Sequence, residues 1–329
     1  MSRGAGDDRP IPRSRAVERA APELGGGLAT PPYRLPAGAG SGLPGPPGET
    51  RLAGRRIAWG ERTLVMGIVN VTTDSFSGDG LLAGAGDPVE RAVEQTRRMA
   101  ADGADIVDVG GESTRPGHAR IEGEEELRRV VPVVAAIHAA LPELPISVDT
   151  TRPEVATAAL DAGAAMLNDI WGIAEDAALA RVAAERDVPI VLMHNRAEAR
   201  YGNVVAEVIT ELQRAVERAV AAGLDVNQVI VDPGFGFGKT PEQNLAVLRE
   251  LGALRLLGRP ILLGASRKST LGRILDLPAD QRVEATLATT ALAIAAGADI
   301  VRVHDVLENA RVARVADAVV RGWTPGGLR

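Results

Sequence analysis

Eight short stretches of this sequence end on residues equipped for chemistry. In order they are Asn70; Gly110-Gly111-Glu112; Asp149; Asn168-Asp169; Met193-His194; Asp232; Gly264, which leads to Lys268; and Arg302-Val303-His304. Asp149, Asn168 and Asp232 supply acceptors and an amide. Carboxylates set against paired N–H donors recognise a planar, guanidine-like edge, as in an arginine–carboxylate fork with the roles exchanged. Such an edge occurs on a 2-amino-4-oxo-pyrimidine. Arg302, His304 and Asn70 form the opposite set: arginine grips phosphate oxygens bidentately, and neutral asparagine offers an amide or a metal ligand. Lys268 brings a point charge that can reach a carbonyl oxygen, an anion or a ring nitrogen. A single Asp after a strand is commonly a turn or a helix cap. Eight such endings on one face are more than capping accounts for.

Other polar residues carry less. His118 and His138 fall in a loop and on a helix face and are given no role. His194 suits a satisfied core position as well as a site. His304 lies two along from Arg302 and shares its side of the strand, which favours function. Lys239 reads as a loop brace, and Asp169, alternating with Asn168, should face away from it and cap or pack.

The stretches that must position these residues alternate between two patterns. Short β-branched or apolar runs give eight expected strands: Leu64–Asn70, Asp105–Gly110, Ile146–Asp149, Met166–Asp169, Ile190–His194, Val229–Asp232, Ile261–Gly264 and Ile300–His304. Longer amphipathic stretches between them predict helices, among them Pro88–Ala101, Glu124–Ala140, Pro153–Ala162, Val204–Ala222, Pro241–Leu251 and Arg282–Ala296. A helix stop of Gly-Ala before a strand recurs at 103–104, 163–164 and 297–298. Strand–helix alternation signals a parallel sheet, and eight βα units over roughly 260 residues have the size of a (β/α)8 TIM barrel. A doubly wound open sheet is the alternative, but it usually carries fewer strands and a Gly-rich dinucleotide turn that is not found here. In a barrel, every ending named above would meet at the C-terminal mouth.

Composition narrows the class. A chain of 329 residues that is 45% hydrophobic suits one large α/β domain. Its net charge of -6 argues against non-specific nucleic-acid binding. No apolar run approaches the roughly 20 residues of a membrane helix, and no secretory leader or transit pattern opens the chain. With no cysteine, disulfides and thiolate metal sites are excluded, and the cytoplasm is the fitting compartment. Residues 1–50 are rich in Gly, Pro and Arg without apolar periodicity and are expected to form a disordered tail, leaving 51–329 as the catalytic domain. Only two of the 37 basic residues are lysines, Lys239 and Lys268, and only three phenylalanines occur, Phe76, Phe235 and Phe237. All five lie beside Gly-rich or Ser/Thr-rich loops, where a local need for that side chain is the natural reading.

The motifs resemble those of the dihydropteroate synthases, a family of pterin-binding enzymes. Residues 65–77, VMGIVNVTTDSFS, resemble that family's opening signature, and 105–117, DIVDVGGESTRPG, its second. SVDT at 147–150, LND at 167–169, LMH at 192–194, DPGFGFGKT at 232–240, GASRKS at 264–269 and RVHDV at 302–306 follow in the family's order. The resemblance implies a TIM-barrel transferase that joins a pterin diphosphate to p-aminobenzoate in folate biosynthesis. It implies that Asp149, Asn168, Asp232 and Lys268 hold the pterin, with Met193 packed on its ring. Asn70, Arg302 and His304 would hold the diphosphate, and Asn70 would help bind Mg2+. Thr114, Arg115 and Pro116, with Phe235, Phe237, Ser266 and Lys268, would shape the p-aminobenzoate side. Lys268, Asp232 and Arg302 carry the catalytic expectation. Two loops, 71–80 and 112–117, would close over the substrates.

Three departures from the family pattern are present: Thr73 where Pro is usual, Gly78-Asp79-Gly80 where Asp-Gly-Gly is usual, and Asn195-Arg196-Ala197 after LMH. Two rival readings differ from this one in identifiable residues. Methyltetrahydrofolate-dependent methyltransferases share the pterin pocket but lack the ESTRPG and SRK loops. A non-catalytic pterin-binding paralogue should have lost Lys268, Arg302 or a pocket carboxylate. The stretch Arg282–Ala296 is apolar on nearly all sides, which predicts deep burial or an interface; with the family's habit it implies a homodimer.

Overall fold

The computed structural model describes residues 47–72, 80–83, 86–112, 121–172 and 176–322. The expectations placed on Thr73, Phe76, Gly78, Asp79, Thr114, Arg115, Pro116 and His118 lie outside the described residues, as do those on residues 1–46.

The first described elements form a hairpin, β1 (Glu49–Leu52) and β2 (Arg55–Ala58). The eight strands that follow are β3 (Leu64–Asn70), β4 (Ile106–Gly110), β5 (Ile146–Asp149), β6 (Met166–Asp169), β7 (Ile190–Met193), β8 (Val229–Asp232), β9 (Leu262–Leu263) and β10 (Ile300–Val303). They pair in parallel in chain order from β3 to β8, and β10 pairs with both β9 and β3. A parallel bridge between Val231 and Ile261 joins β8 to the β9 segment and completes the barrel. The helices are α1 (Pro88–Asp102), α2 (Gly123–Ala140), α3 (Pro153–Asp161), α4 (Ala178–Arg186), α5 (Val204–Ala221), α6 (Pro241–Arg249), α7 (Ser269–Leu275), α8 (Val283–Ala295) and α9 (Val306–Val320). The barrel and its eight strands are therefore as expected from sequence.

Strand parity sorts the core into two layers. Met66, Ile106, Met166, Val191, Ile230, Leu262 and Ile300 fill the barrel's interior. Their neighbours, such as Val65, Val107, Ile146, Leu167 and Val301, face outward against the helices. One step further along the same strands, the inward side carries Asp108, Asp149, Asn168, Asp232 and Arg302 in place of hydrocarbon. The Gly-Ala stops behave as read: Gly103, Gly163 and Gly297 all take positive φ, where a side chain would be strained. Asp87, Asn203 and Thr240 cap α1, α5 and α6, with Thr240 and Gln243 forming a capping box.

The hairpin has no counterpart among the elements expected from sequence, and it starts at Glu49, inside the 1–50 stretch expected to be disordered. Its turn is Ala53-Gly54, both at positive φ, the geometry of a two-residue hairpin loop. Leu52 and Trp59 pack into the inner barrel layer, so the hairpin closes the end opposite the strand mouths. Thr50 ties it down: its hydroxyl donates to the Asn227 carbonyl at 2.6 Å and accepts from Trp59 Nε1 at 2.7 Å. Helix α8 is not buried on all sides. Thr286, Thr289, Thr290, Ala293 and Ile294 face inward, while Leu292 is exposed, near a helix α9 that exposes Val315 and Val319.

Thr50→Val keeps the shape but leaves the buried Trp59 N–H without an acceptor. Stability should fall by about 1–3 kcal/mol, read from the urea midpoint. An unchanged midpoint would mean that the hairpin adds nothing to the barrel's stability.

Candidate active site

The inward side chains at the strand ends meet at one mouth. Arg302 on β10 is the centre of that group. Its Nε donates to Asp108 Oδ2 at 2.6 Å and its Nη2 to Asp149 Oδ2 at 2.9 Å. Asp108 also accepts from Asn168 Nδ2 at 2.9 Å. Strands β4, β5, β6 and β10 are thus tied together through polar atoms above the inner apolar layer. Asp108 is fully buried, and a buried carboxylate needs such partners.

Asp108 is not among the strand-end residues that the sequence singles out. It sits inside the apolar run Ile106–Val109, and its signal was parity: it shares a face with Ile106 and Gly110, which point into the barrel. A carboxylate at an inward position of an otherwise apolar strand requires a partner cation.

Two glycines leave room beside these groups. A Cβ on Gly110 would meet the Asp149 side chain at 3.4 Å, and one on Gly264 would fall 3.8 Å from Arg302 Cβ and 4.0 Å from Asp232 Oδ2. Asp232 is buried, and Gly234 N–H donates to its Oδ1 at 2.7 Å. Burial pushes its carboxyl up to about 6, against that hydrogen bond and the nearby Lys268 charge. Burial likewise raises Asp149 to about 7, with Arg302 pulling the other way.

Lys268 is aimed by its neighbour. Arg267 adopts φ 57, an uncommon conformation for a side-chain-bearing residue. It is held there by Asp305, which accepts from Nε at 3.0 Å and from Nη2. Lys268 Nζ then lies 3.9 Å over the ring of Phe237, and burial lowers its pKa to about 8. His304 is fixed beside it, with its N–H donating to Ser266 Oγ at 3.2 Å and its Nδ1 at 2.9 Å from the same oxygen. Met193 is buried at the end of β7, and Asn70 ends β3.

Phe235 departs from expectation. It is 1% exposed and belongs to the outer core with Val231 and Leu271, so it anchors its loop while Phe237 meets Lys268. Asp169 accepts from Trp171 N–H at 3.0 Å and faces away from the mouth, as parity required. At the root of the second signature loop, Glu112 accepts from Arg152 Nη1 at 2.6 Å, and Arg152 also pairs with buried Glu126. Among the described residues no cluster of three His, Cys, Asp or Glu side chains forms a metal cage.

Comparison with known proteins agrees with this geometry. Residues 66–304 match the model of the family described as pterin binding enzyme. The dihydropteroate synthase of Bacillus subtilis is 49% identical over 264 residues, covering 80% of this chain and 91% of that one. That of Clostridium beijerinckii is 47% identical over 272 residues, covering 82% and 99%. Among solved structures, the Xanthomonas albilineans dihydropteroate synthase with 4-aminobenzoic acid matches with TM-score 0.77 at 43% identity, covering 83% of this chain and 98% of that one. The same enzyme in complex with 7,8-dihydropteroate matches with TM-score 0.74 at 42% identity, covering 82% and 98%.

Asp108→Ala strips Arg302 Nε and Asn168 of their shared acceptor. It should cost roughly 3 kcal/mol, the scale of breaking a buried ion pair, measured by denaturant unfolding. Asp108→Asn, which keeps an acceptor oxygen, should recover most of the loss. Equal stabilities for the parent and both variants would remove Asp108 from the network.

Proposed function

The chain belongs to the pterin-binding enzyme family, matches its dihydropteroate synthases across the barrel, and we propose that its own strand ends divide that synthesis as follows. The reaction joins 6-hydroxymethyl-7,8-dihydropterin diphosphate to p-aminobenzoate, giving 7,8-dihydropteroate and diphosphate. The observation that carries the assignment of roles is the Asp108–Arg302–Asp149 clamp beside Asn168 and Asp232, with glycines at 110 and 264 next to its side chains.

Asp232, Asn168 and Asp149 take the pterin edge, with Asp232 accepting two of its N–H donors and Met193 packing on the ring. Asn70, His304 and the Nη1 end of Arg302 take the diphosphate. The bond from the pterin's exocyclic CH2 to diphosphate oxygen breaks with its electron pair leaving on oxygen, and the ring spreads the positive charge. The amine nitrogen of p-aminobenzoate attacks that carbon and then gives up a proton. No protein nucleophile is needed; the residues stabilise charge in place. Lys268 and Phe237, with Ser266 behind them, form the wall between the two substrates, and Thr114, Arg115 and Pro116 are assigned to the p-aminobenzoate side.

A magnesium ion fits this donor set as a partner of the diphosphate. Such ions take few protein ligands and complete their shell with phosphate oxygens and water, so the Asn70 amide oxygen suffices, and the ion would supply charge neutralisation of the leaving group. Exposed Leu292, Val315 and Val319 on α8 and α9 support a homodimer, which light scattering at micromolar concentration checks. No described helix is long and apolar enough to cross a membrane. We assign the chain to the cytoplasm, the compartment that suits its lack of cysteine; cell fractionation checks this.

Diphosphate release on mixing both substrates with Mg2+ is the direct test, and no release would overturn the assignment. Two further outcomes are expected. Lys268→Arg keeps the charge, but its longer, wider side chain cannot put that charge where Nζ now lies while threading past Gly236, whose Cβ position is 3.0 Å from the Lys268 stem. Turnover should fall about 100-fold, the scale of a misplaced group, at an unchanged melting temperature. Near-parental rates would remove Lys268 from the site.

The second outcome concerns pH. Asp232 and Asp149 are pushed up to about 6 and 7, and both must be ionised to accept from the pterin. Binding therefore favours the deprotonated forms. Affinity should weaken as pH falls below 7, by up to about tenfold per unit per proton, and binding should release protons, seen as heat that varies with buffer. Flat affinity from pH 8 to 5 would mean that neither carboxylate meets the ligand.

A further inference from the structure

The proposed synthesis leaves one of the chain's two lysines unused. Lys239 ends the loop after β8, and its Nζ meets three acceptors: the Gly234 carbonyl at 3.1 Å, the Phe237 carbonyl at 3.1 Å and His194 Nδ1 at 3.0 Å. An ammonium has three N–H donors and no acceptor, so this set uses it completely. Arginine's planar fork cannot place three donors around one point. That accounts for a lysine here in a chain that otherwise uses arginine almost throughout.

The same contacts fix the histidine. Burial lowers the Lys239 pKa to about 7; in its protonated form Lys239 can only donate, so His194 Nδ1 accepts and the ring proton sits on Nε2. Nε2 lies 3.0 Å from Glu211 Oε2 on α5, off the line of a good hydrogen bond. Glu211 is paired with Arg196, which also holds Glu207 at 2.8 Å and lies over the Tyr201 ring. Tyr201 in turn donates to the Gly238 carbonyl at 2.9 Å. His194 is fully buried and pushed down to about 4, first by burial and then by the Lys239 charge, with Glu211 opposing.

The loop is tied on one side and working on the other. A Cβ on Gly234 would stand 1.9 Å from the His194 carbonyl oxygen, and one on Gly238 2.3 Å from that of Arg196. Both glycines have positive φ and let the loop lie flush against residues 194–196. Opposite, Gly236 abuts the Lys268 stem and the Phe237 ring faces Lys268 Nζ. The backbone carbonyl that Lys239 grips belongs to the residue whose ring makes that contact.

We propose that Lys239 is a positioning residue for the second substrate: through the Phe237 carbonyl and a tautomer-locked His194 it holds Phe237 and Lys268 in register to receive p-aminobenzoate. This rests on the synthase reading. The pterin contacts Asp149 and Asn168 come from other strands, while Asp232 touches this loop only through the Gly234 N–H, so the larger effect falls on the second substrate.

The test compares Lys239→Met, His194→Asn and His194→Leu with the parent. Asparagine can present an oxygen near the place of Nδ1; leucine cannot. In Lys239→Met and His194→Leu the KM for p-aminobenzoate should rise at least about tenfold, the scale of a displaced positioning group, while pterin affinity by calorimetry falls by a clearly smaller factor. His194→Asn should restore most of the loss. In 15N-histidine NMR, His194 should show the Nε2–H tautomer and not titrate between about pH 5.5 and 8. In Lys239→Met its pKa should rise, because a positive neighbour is gone. Parallel losses of pterin affinity, p-aminobenzoate KM and melting temperature would make Lys239 a general brace and overturn the proposal. So would a parental KM in both Lys239→Met and His194→Leu, or an Nδ1–H tautomer. If Lys239→Met does not fold, the two His194 variants decide. A parent that makes no dihydropteroate would sink the synthase reading instead, and the NMR result would still stand on its own.

Discussion

A guanidinium held out of water without a counter-charge costs several kcal/mol, and Arg302 occupies such a place at the barrel's mouth. Asp108 and Asp149 supply the counter-charge from strands 194 and 153 residues away in sequence. Only a closed barrel brings those strands to within one side chain of each other. Asn168 completes the group by donating to Asp108. The polar layer therefore depends on closure, and it stands on an apolar layer that holds the strands at fixed spacing. Asp232 and Lys268 then add one charge of each sign beside that group.

Much of this was legible before any coordinates. Parallel strands buried on both faces read as apolar runs, and each run ended on a residue that hydrocarbon packing did not require. The residues the sequence could not place have physical reasons. Asp108 lies mid-strand, so a rule based on strand ends passes over it; only its partner across the barrel explains it. Phe235 and Phe237 look alike in a GFGFG segment, yet the loop sends one into the core and the other to Lys268. The hairpin 49–58 has four-residue strands and three arginines, too short and too polar to stand out beside a Gly/Pro-rich stretch. Its one clear signal is the buried Thr50–Trp59 pair, which is a contact and not a pattern.

The loops divide labour by how they are held. Arg267 keeps a costly backbone conformation because Asp305 grips its guanidinium, and that conformation turns Lys268 inward. Arg152 secures the root of the second signature loop through Glu112 and Glu126. The loop after β8 is pressed against residues 194–196 by glycines with no room for a side chain. Each device lies just outside the polar layer and sets the aim of one group within it.

The scarcity of lysine has a practical side. Both lysine side chains of this chain lie in or directly behind the mouth. On most proteins an amine-reactive reagent decorates a scattered surface and reports on nothing in particular. Here the surface cations are arginines, which such reagents leave alone, so acylation of a side-chain amine reads out access to the pocket itself. Mass spectrometry of the labelled chain becomes a footprint of occupancy: a bound substrate shields Lys268, and the reagent finds almost nowhere else to go.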